Sequence, residues 1–206
     1  MKRKTINFSG RVFYKDKITF FSIINVAKSD WVIRMNTLVE EIYAEKHYES
    51  EAEAIICLQQ LEFSLQRDGF DFRDSYGNIF NLKHIVYFLI KERKEKKAPW
   101  QIEISFVNNA TLSIPFTSFE EVKEEFVKIS SEIDYYSFIF FPGFVFFLER
   151  ILEIESINKK NDKEKIMKLF FVNNQKKEII FKNKEELNDF HKKISNPCLP
   201  KRNEKT

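Results

Sequence analysis

The chain has 206 residues and sets 34 Lys and Arg against 31 Asp and Glu, for a formal charge of +3. That near balance excludes a protein-wide basic field drawing polyanions. With 23 Phe but only 4 Gly and 5 Pro, a low-complexity or disordered chain is excluded as well.

In chain order, Thr5 to Phe8 reads as a short strand that turns at Ser9-Gly10 into a strand bent at its midpoint, Val12 to Asn25. After the loop 26–30, Trp31 to Asn36 alternates apolar and polar residues with the period of a strand, and Glu41 to Tyr48 is a second such run. Ser50-Glu51-Ala52-Glu53 is a capping box, and the helix it opens carries Ala54, Cys57, Leu58, Leu61 and Leu65 inward before ending at Asp68-Gly69. The same order returns. Phe70 and Phe72 lead in, Ile79 to Ile90 is the bent strand, and a charged loop 91–97 follows. Ile102 to Phe106 and Leu112 to Phe116 then alternate on either side of the turn Asn108-Asn109. Ser118 to Glu121 caps a second helix bearing Val122, Phe126 and Ile129. A third round has a lead-in at 136–141, a turn at Pro142-Gly143, a bent strand at 145–157, a polar loop at 158–165, and the turn Asn173-Asn174. Its helix is capped from Asn183 to Glu186 and turns Leu187, Phe190 and Ile194 inward.

One phrase ties the rounds together. Three of the four glycines open Gly-x-Val/Ile-Phe-x-x-charged-Lys/His/Arg-Ile, at Gly10, Gly77 and Gly143, spaced by 67 and 66 residues. Phe-Val-Asn-Asn occurs at Phe106 and again at Phe171, and an aromatic (Tyr48, Phe116, Phe181) stands two residues before each helix cap. The expectation is an α+β fold of three tandem ββββα repeats, with antiparallel sheets each packed against one helix. The repeats are placed at 1–68, 69–133 and 134–196, followed by a disordered basic tail at 197–206. Units of this size bury little surface alone, so shared cores are expected.

Catalytic motifs are missing from this pattern. His47, His84 and His191 fall at unrelated places in the repeat, and there is no nucleophile elbow, phosphate loop, Cys-x-x-Cys or ligand spacing for a metal. The acid pairs Glu120-Glu121 and Glu185-Glu186 sit in first helical turns, where the helix dipole accounts for them. A non-catalytic protein with no cofactor and no metal is expected. Cys57 on a helix and Cys198 in the tail read as reduced thiols, and MKRKTINFSG lacks an apolar signal core, so a cytoplasmic location is expected. The apolar run Tyr135 to Leu148 spans 14 residues and is broken by Pro142-Gly143. A membrane helix needs roughly 20, so no membrane span is expected.

Binding is the remaining class. Net charge is 0 over residues 1–66, −1 over 67–132 and +4 over 133–206. The loop lysines and arginine Lys91, Arg93, Lys94, Lys96, Lys97, Lys159 and Lys160 are candidates for phosphate contact. Phe20, Phe21, Trp31, Tyr87, Phe88 and Trp100 lie on or beside strands, where outward-facing rings could stack unpaired bases.

The segment Phe20 to Ile33, with Asn25-Val26-Ala27-Lys28 between two strands, resembles the strand–Asn–x–x–Lys–Gly–strand signature of PUR-repeat proteins. It departs from it in having Ser29 at the glycine, and the second and third repeats lack the Asn-x-x-Lys element. The resemblance implies paired sheet-and-helix repeats that bind single-stranded DNA or RNA, with Lys28 and neighbouring strand residues such as Trp31 touching nucleic acid. The alternative is a protein-interaction, assembly or inhibitor module without nucleic-acid binding. In that case an odd repeat is left over, and a homodimer would bury the apolar lead-in of the third repeat through Phe140, Phe141 and Phe144.

Overall fold

The computed structural model describes residues 4–39, 43–131, 133, 138–141, 143–157 and 165–195; Lys159, Lys160 and the tail at 197–206 lie outside them. The first block of elements is β1 (Thr5–Phe8), β2 (Arg11–Tyr14), a 3-10 turn (Lys15–Lys17), β3 (Ile18–Ala27), β4 (Asp30–Thr37), β5 (Tyr43–Tyr48) and α1 (Glu51–Arg67). The second is β6 (Phe72–Ser75), β7 (Asn78–Asn81), a 3-10 turn (Leu82–His84), β8 (Ile85–Glu92), β9 (Trp100–Phe106), β10 (Thr111–Phe116) and α2 (Phe119–Ser131). The third is β11 (Phe138–Phe141), β12 (Phe144–Phe147), a 3-10 turn (Leu148–Arg150), β13 (Ile151–Ile157), β14 (Lys165–Phe171), β15 (Lys176–Phe181) and α3 (Lys184–Ser195). The fold is α+β, and the paired strands are antiparallel throughout.

The expected bent strand is two strands. The charged residues of the glycine motif form a one-turn 3-10 helix, closed where the isoleucine N–H of Ile18, Ile85 or Ile151 donates to the carbonyl three residues back. Among the described residues each block therefore holds five strands rather than four. The glycines earn their place through backbone geometry, with φ of 74°, 70° and 74° at Gly10, Gly77 and Gly143. Ser9 and Tyr76 precede two of them with φ of 50° and 46°. Two consecutive positive φ angles form the primed turn whose twist suits a two-residue hairpin.

Strand order departs further from one sheet per repeat. The sheets run β5-β4-β3-β7-β6, β10-β9-β8-β12-β11, β13-β14-β15 and β1-β2. The hairpin opening the second block thus completes the sheet of the first, and the hairpin opening the third completes the sheet of the second. By contacts the chain forms two compact units, one from the described residues of Met1–Ile85 with Phe106–Ala110, the other from Val86–Ser105 with Thr111–Thr206.

In the first unit α1 lays Ala54, Leu58 and Leu65 on a core of Phe8, Phe13, Phe21, Ile33, Met35, Phe72 and Ile79. Edge-on and tilted rings hold it, Phe8 lying 5.5 Å and Phe72 6.4 Å from Phe21. In the second unit Phe88 meets Phe126 at 5.0 Å, and Phe190 of α3 meets Phe181 at 5.2 Å and Phe146 at 6.0 Å. The caps form as the sequence implies. The N–H groups of Glu53, Glu121 and Glu186 donate to Ser50 Oγ, Ser118 Oγ and Asn183 Oδ1 at 3.3, 3.1 and 2.9 Å. In α2 and α3 the glutamate reaches one residue further back than a standard box, taking the N–H of Thr117 (3.2 Å) and Lys182 (2.9 Å). Bonds from the Thr117 hydroxyl and amide hold the Glu121 carboxyl below its ordinary pKa.

A lysine is buried in the core of the first unit. Lys15 is almost fully enclosed and pairs with Asp68 at the end of α1. The equivalent positions in the later blocks hold Leu82 and Leu148. Breaking a buried pair leaves the other charge uncompensated, so Asp68→Ala should cost about 3–5 kcal/mol in urea unfolding. Lys15→Leu combined with Asp68→Ala should restore most of that loss.

Candidate interaction surfaces

One block meets the next through an arrangement that recurs. In the first unit β3 pairs with β7 as Phe20↔Phe80, Phe21↔Ile79 and Ser22↔Asn78. In the second unit β8 pairs with β12 as Tyr87↔Phe146, Phe88↔Val145 and Leu89↔Phe144. Shifted by the motif spacing of 67 and 66 residues, the two registers are the same. The Ile23 N–H donates to the Gly77 carbonyl (3.1 Å), and the Ile90 N–H to that of Gly143 (2.8 Å).

A second contact recurs with it. The Phe-Val-Asn-Asn turn of each later block reaches the block before. Phe106 stacks on Phe20 at 5.1 Å, and Phe171 lies 5.2 Å from Tyr87. The Asn108 amide donates to the Thr37 carbonyl at 2.7 Å; the Asn173 amide donates to Ser105 Oγ at 3.0 Å. Ser105 in turn donates to Gln175 Oε1 at 3.0 Å, which the Tyr87 hydroxyl also meets. Each asparagine also accepts a backbone N–H two residues on, from Ala110 (3.2 Å) or Gln175 (3.3 Å), which locks the turn. The sequence marks these residues only as turn formers; that they clip blocks together emerges from the fold.

The first hairpin and the last sheet each have only half of such a junction. Among the described residues β1 and β2 pair with each other alone, and β13 pairs with β14 alone. Val12 is 70% exposed, although its equivalents Ile79 and Val145 are 0% exposed. Leu152 of β13 is 67% exposed, although its equivalents Thr19 and Val86 are 0% exposed. A Cβ built on Gly77 or Gly143 would meet Ile23 or Ile90 at 3.8 Å, whereas one on Gly10 would meet nothing within 4 Å. Sequence reading missed this pair of ends, though Leu152-Glu153 standing where Val86-Tyr87 stands was a visible signal.

The basic residues singled out from sequence fall in different surroundings. Lys91 lies on β8, not in the loop, and binds Glu103 at 2.7 Å; Arg93 binds Glu95 at 2.6 Å. Lys94, Lys96 and Lys97 are exposed and have no ion-pair partner among the described residues. Lys28 is exposed in the turn between β3 and β4, next to half-buried Trp31. Trp100 is half-buried with its ring 4.9 Å from Phe119. Of the other strand aromatics, Phe20, Phe21, Tyr87 and Phe88 are buried, because β3 and β8 are covered on both faces where they begin. Phe144 packs on Tyr87 at 5.7 Å, and Phe141 is its strand partner. Phe140, 48% exposed, sits 5.9 Å from Phe126.

A shallow cleft of about 400 Å³ is lined by Leu89, Ile90, Phe144, Lys177, Ile179 and Ile180. Its ammonium, on Lys177, sits 4.8 Å over the Tyr87 ring and 3.6 Å from Glu103, already engaged. Among the described residues no group of three His, Cys, Asp or Glu is placed to hold a metal, and no helix is long and apolar enough to cross a membrane. Cys57 is half-buried and accepts the Tyr48 hydroxyl at 2.8 Å; burial and that bond push the Tyr48 pKa well above its ordinary value.

No protein-family model, curated protein or solved structure matches this chain.

The asparagine clip can be tested directly. Asn173→Ala leaves the enclosed Ser105 hydroxyl short of a donor, and should lower stability by about 1–3 kcal/mol in chemical unfolding. Asn174→Ala, at the exposed αL position (φ 59°), should cost less, about 1 kcal/mol.

Proposed function

We propose that the chain is a non-catalytic scaffold of three sequence repeats that binds protein partners by strand addition at the open edge of β13. The internal logic of the fold supports this reading. β3 and β8 are each completed by a hairpin from the following block, and β13, built on the same pattern, receives no hairpin among the described residues. An uncovered strand presents unpaired N–H and C=O groups in a row, the template that peptide-binding sheets use. The single observation that carries it is Leu152, exposed at a position that is buried at both completed edges.

Charge narrows the partner. β13 carries Glu153 and Glu155, both exposed and without an ion-pair partner among the described residues. A strand with apolar residues on alternate positions and a basic residue beside them fits that edge. Panning a random peptide library on the full chain should enrich such sequences, and Leu152→Asp should abolish their binding. Enriched peptides indifferent to Leu152→Asp would sink the strand-addition reading.

A second reading, single-stranded DNA or RNA binding, is supported by Lys94, Lys96 and Lys97, which project from the β8–β9 loop without acidic partners among the described residues. Three phosphate contacts would give a log–log salt slope of about −2 on single strands. Fluorescence anisotropy with a single-stranded oligonucleotide should show that slope, and the triple substitution of Lys94, Lys96 and Lys97 to Ala should flatten it. Stacking would fall to half-buried Trp31 and Trp100, since Phe20, Phe21, Tyr87 and Phe88 are enclosed.

A further inference from the structure

We infer that the strand added to β13 is β2 of a second copy of this chain, so that copies associate head to tail through the same junction that joins successive blocks. The inference rests on the strand-addition reading above and names its occupant.

Both halves of the junction are present in one chain, in its first and third blocks. The β1–β2 hairpin corresponds to β6–β7 and β11–β12, each of which finishes a preceding sheet, while it finishes none among the described residues. The edge of β13 corresponds to β3 and β8, each of which receives a hairpin. Shifting the two internal registers by the repeat spacing gives Phe13 opposite Glu153, Val12 opposite Ile154 and Arg11 opposite Glu155. The strand irregularity is shared too: β13 shifts register between Ile151 and Glu153, as β3 does between Ile18 and Phe20. The hairpin is held ready in a defined shape, because Phe8 and Phe13 anchor one face of it in the core while Val12 and Tyr14 face outward. Docking orders little new chain, which lowers the entropic cost of association.

Charge fits the same register. Between Lys4 and Tyr14 the hairpin carries Lys4 and Arg11 and no acid; β13 carries Glu153 and Glu155 and no base. Arg11 makes one long bond, 3.4 Å to the Tyr43 carbonyl, and lies 5.5 Å from the Phe13 ring centre, within reach of a facing carboxylate. Complementary charges directly across a strand pair favour that pairing, and like charges oppose it.

The junction between copies differs from the internal ones in one respect. Glu153 replaces the aromatic that meets the Phe-Val-Asn-Asn turn, where Phe20 and Tyr87 stand in the earlier blocks. An acidic residue keeps a lone edge soluble, and the loss of one aromatic pair makes this contact weaker and reversible.

Sedimentation velocity of the full chain from about 1 to about 200 µM tests it, a range that spans micromolar affinity. Average mass should rise with concentration, and head-to-tail geometry carries it past the dimer unless a ring closes. Val12→Asp and Leu152→Asp, both at exposed positions, should each weaken association by about tenfold or more with unchanged circular dichroism, since each places a charge in the buried seam. Arg11→Glu and Glu155→Arg should each weaken it alone, and an equimolar mixture of the two variants should recover it. A wild type that stays monomeric throughout, association indifferent to Val12→Asp and Leu152→Asp, or no recovery in the mixture would each overturn the proposal. A monomeric wild type whose β13 still binds the selected peptides would retire self-pairing and leave strand addition standing.

Discussion

The structure depends on the need of a β-edge for hydrogen-bond partners. β3 and β8 begin as strands buried on both faces, and a strand so enclosed cannot leave its outer backbone groups to water. Each is completed from outside its own block, by a hairpin that the glycine turn makes possible. Successive blocks are thereby held by main-chain bonds as well as side-chain packing, and the junction is directional: a hairpin gives, an edge receives.

The aromatic richness of the chain follows from this arrangement. Doubly covered strands need large apolar side chains on both faces, and Phe20 and Tyr87 fill the second face against Phe106 and Phe171. Four of the six rings that sequence alone offers as stacking platforms, Phe20, Phe21, Tyr87 and Phe88, are therefore consumed by the fold. The two turn asparagines that accompany them have both ends of the side-chain amide matched. Asn108 and Asn173 close their own turns through Oδ1 and join the preceding block through Nδ2, using both ends of one amide. In a seam that tight, an unmatched amide would cost more than the bond contributes.

A directional junction also has two unlike ends, and these are where binding is most naturally sought. The loop lysines offer a different kind of surface, a solvated one, where affinity would come from charge and fall with salt. The β13 edge offers main-chain pairing and apolar cover, which salt leaves largely intact. The two readings thus differ in physical character as well as in partner.

Much of the architecture was legible in the chain. The glycine spacing, the caps at Ser50, Ser118 and Asn183 and the alternation in β9, β10 and β14 are local signals, set by φ angles, free backbone N–H groups and the period of two. They determined the order of elements and an α+β fold. They did not determine which block each hairpin serves, because pairing between β3 and β7 or β8 and β12 joins residues some 60 apart in sequence through backbone atoms common to every residue. Nor did they show that the motif's charged residues form a 3-10 turn, that Lys15 is buried against Asp68, or that the asparagine turns act as clips. Exposure, too, is a tertiary property: Val12 and Ile79 are near-identical residues in the same motif, and only the presence or absence of a neighbouring strand makes one a surface and the other a core.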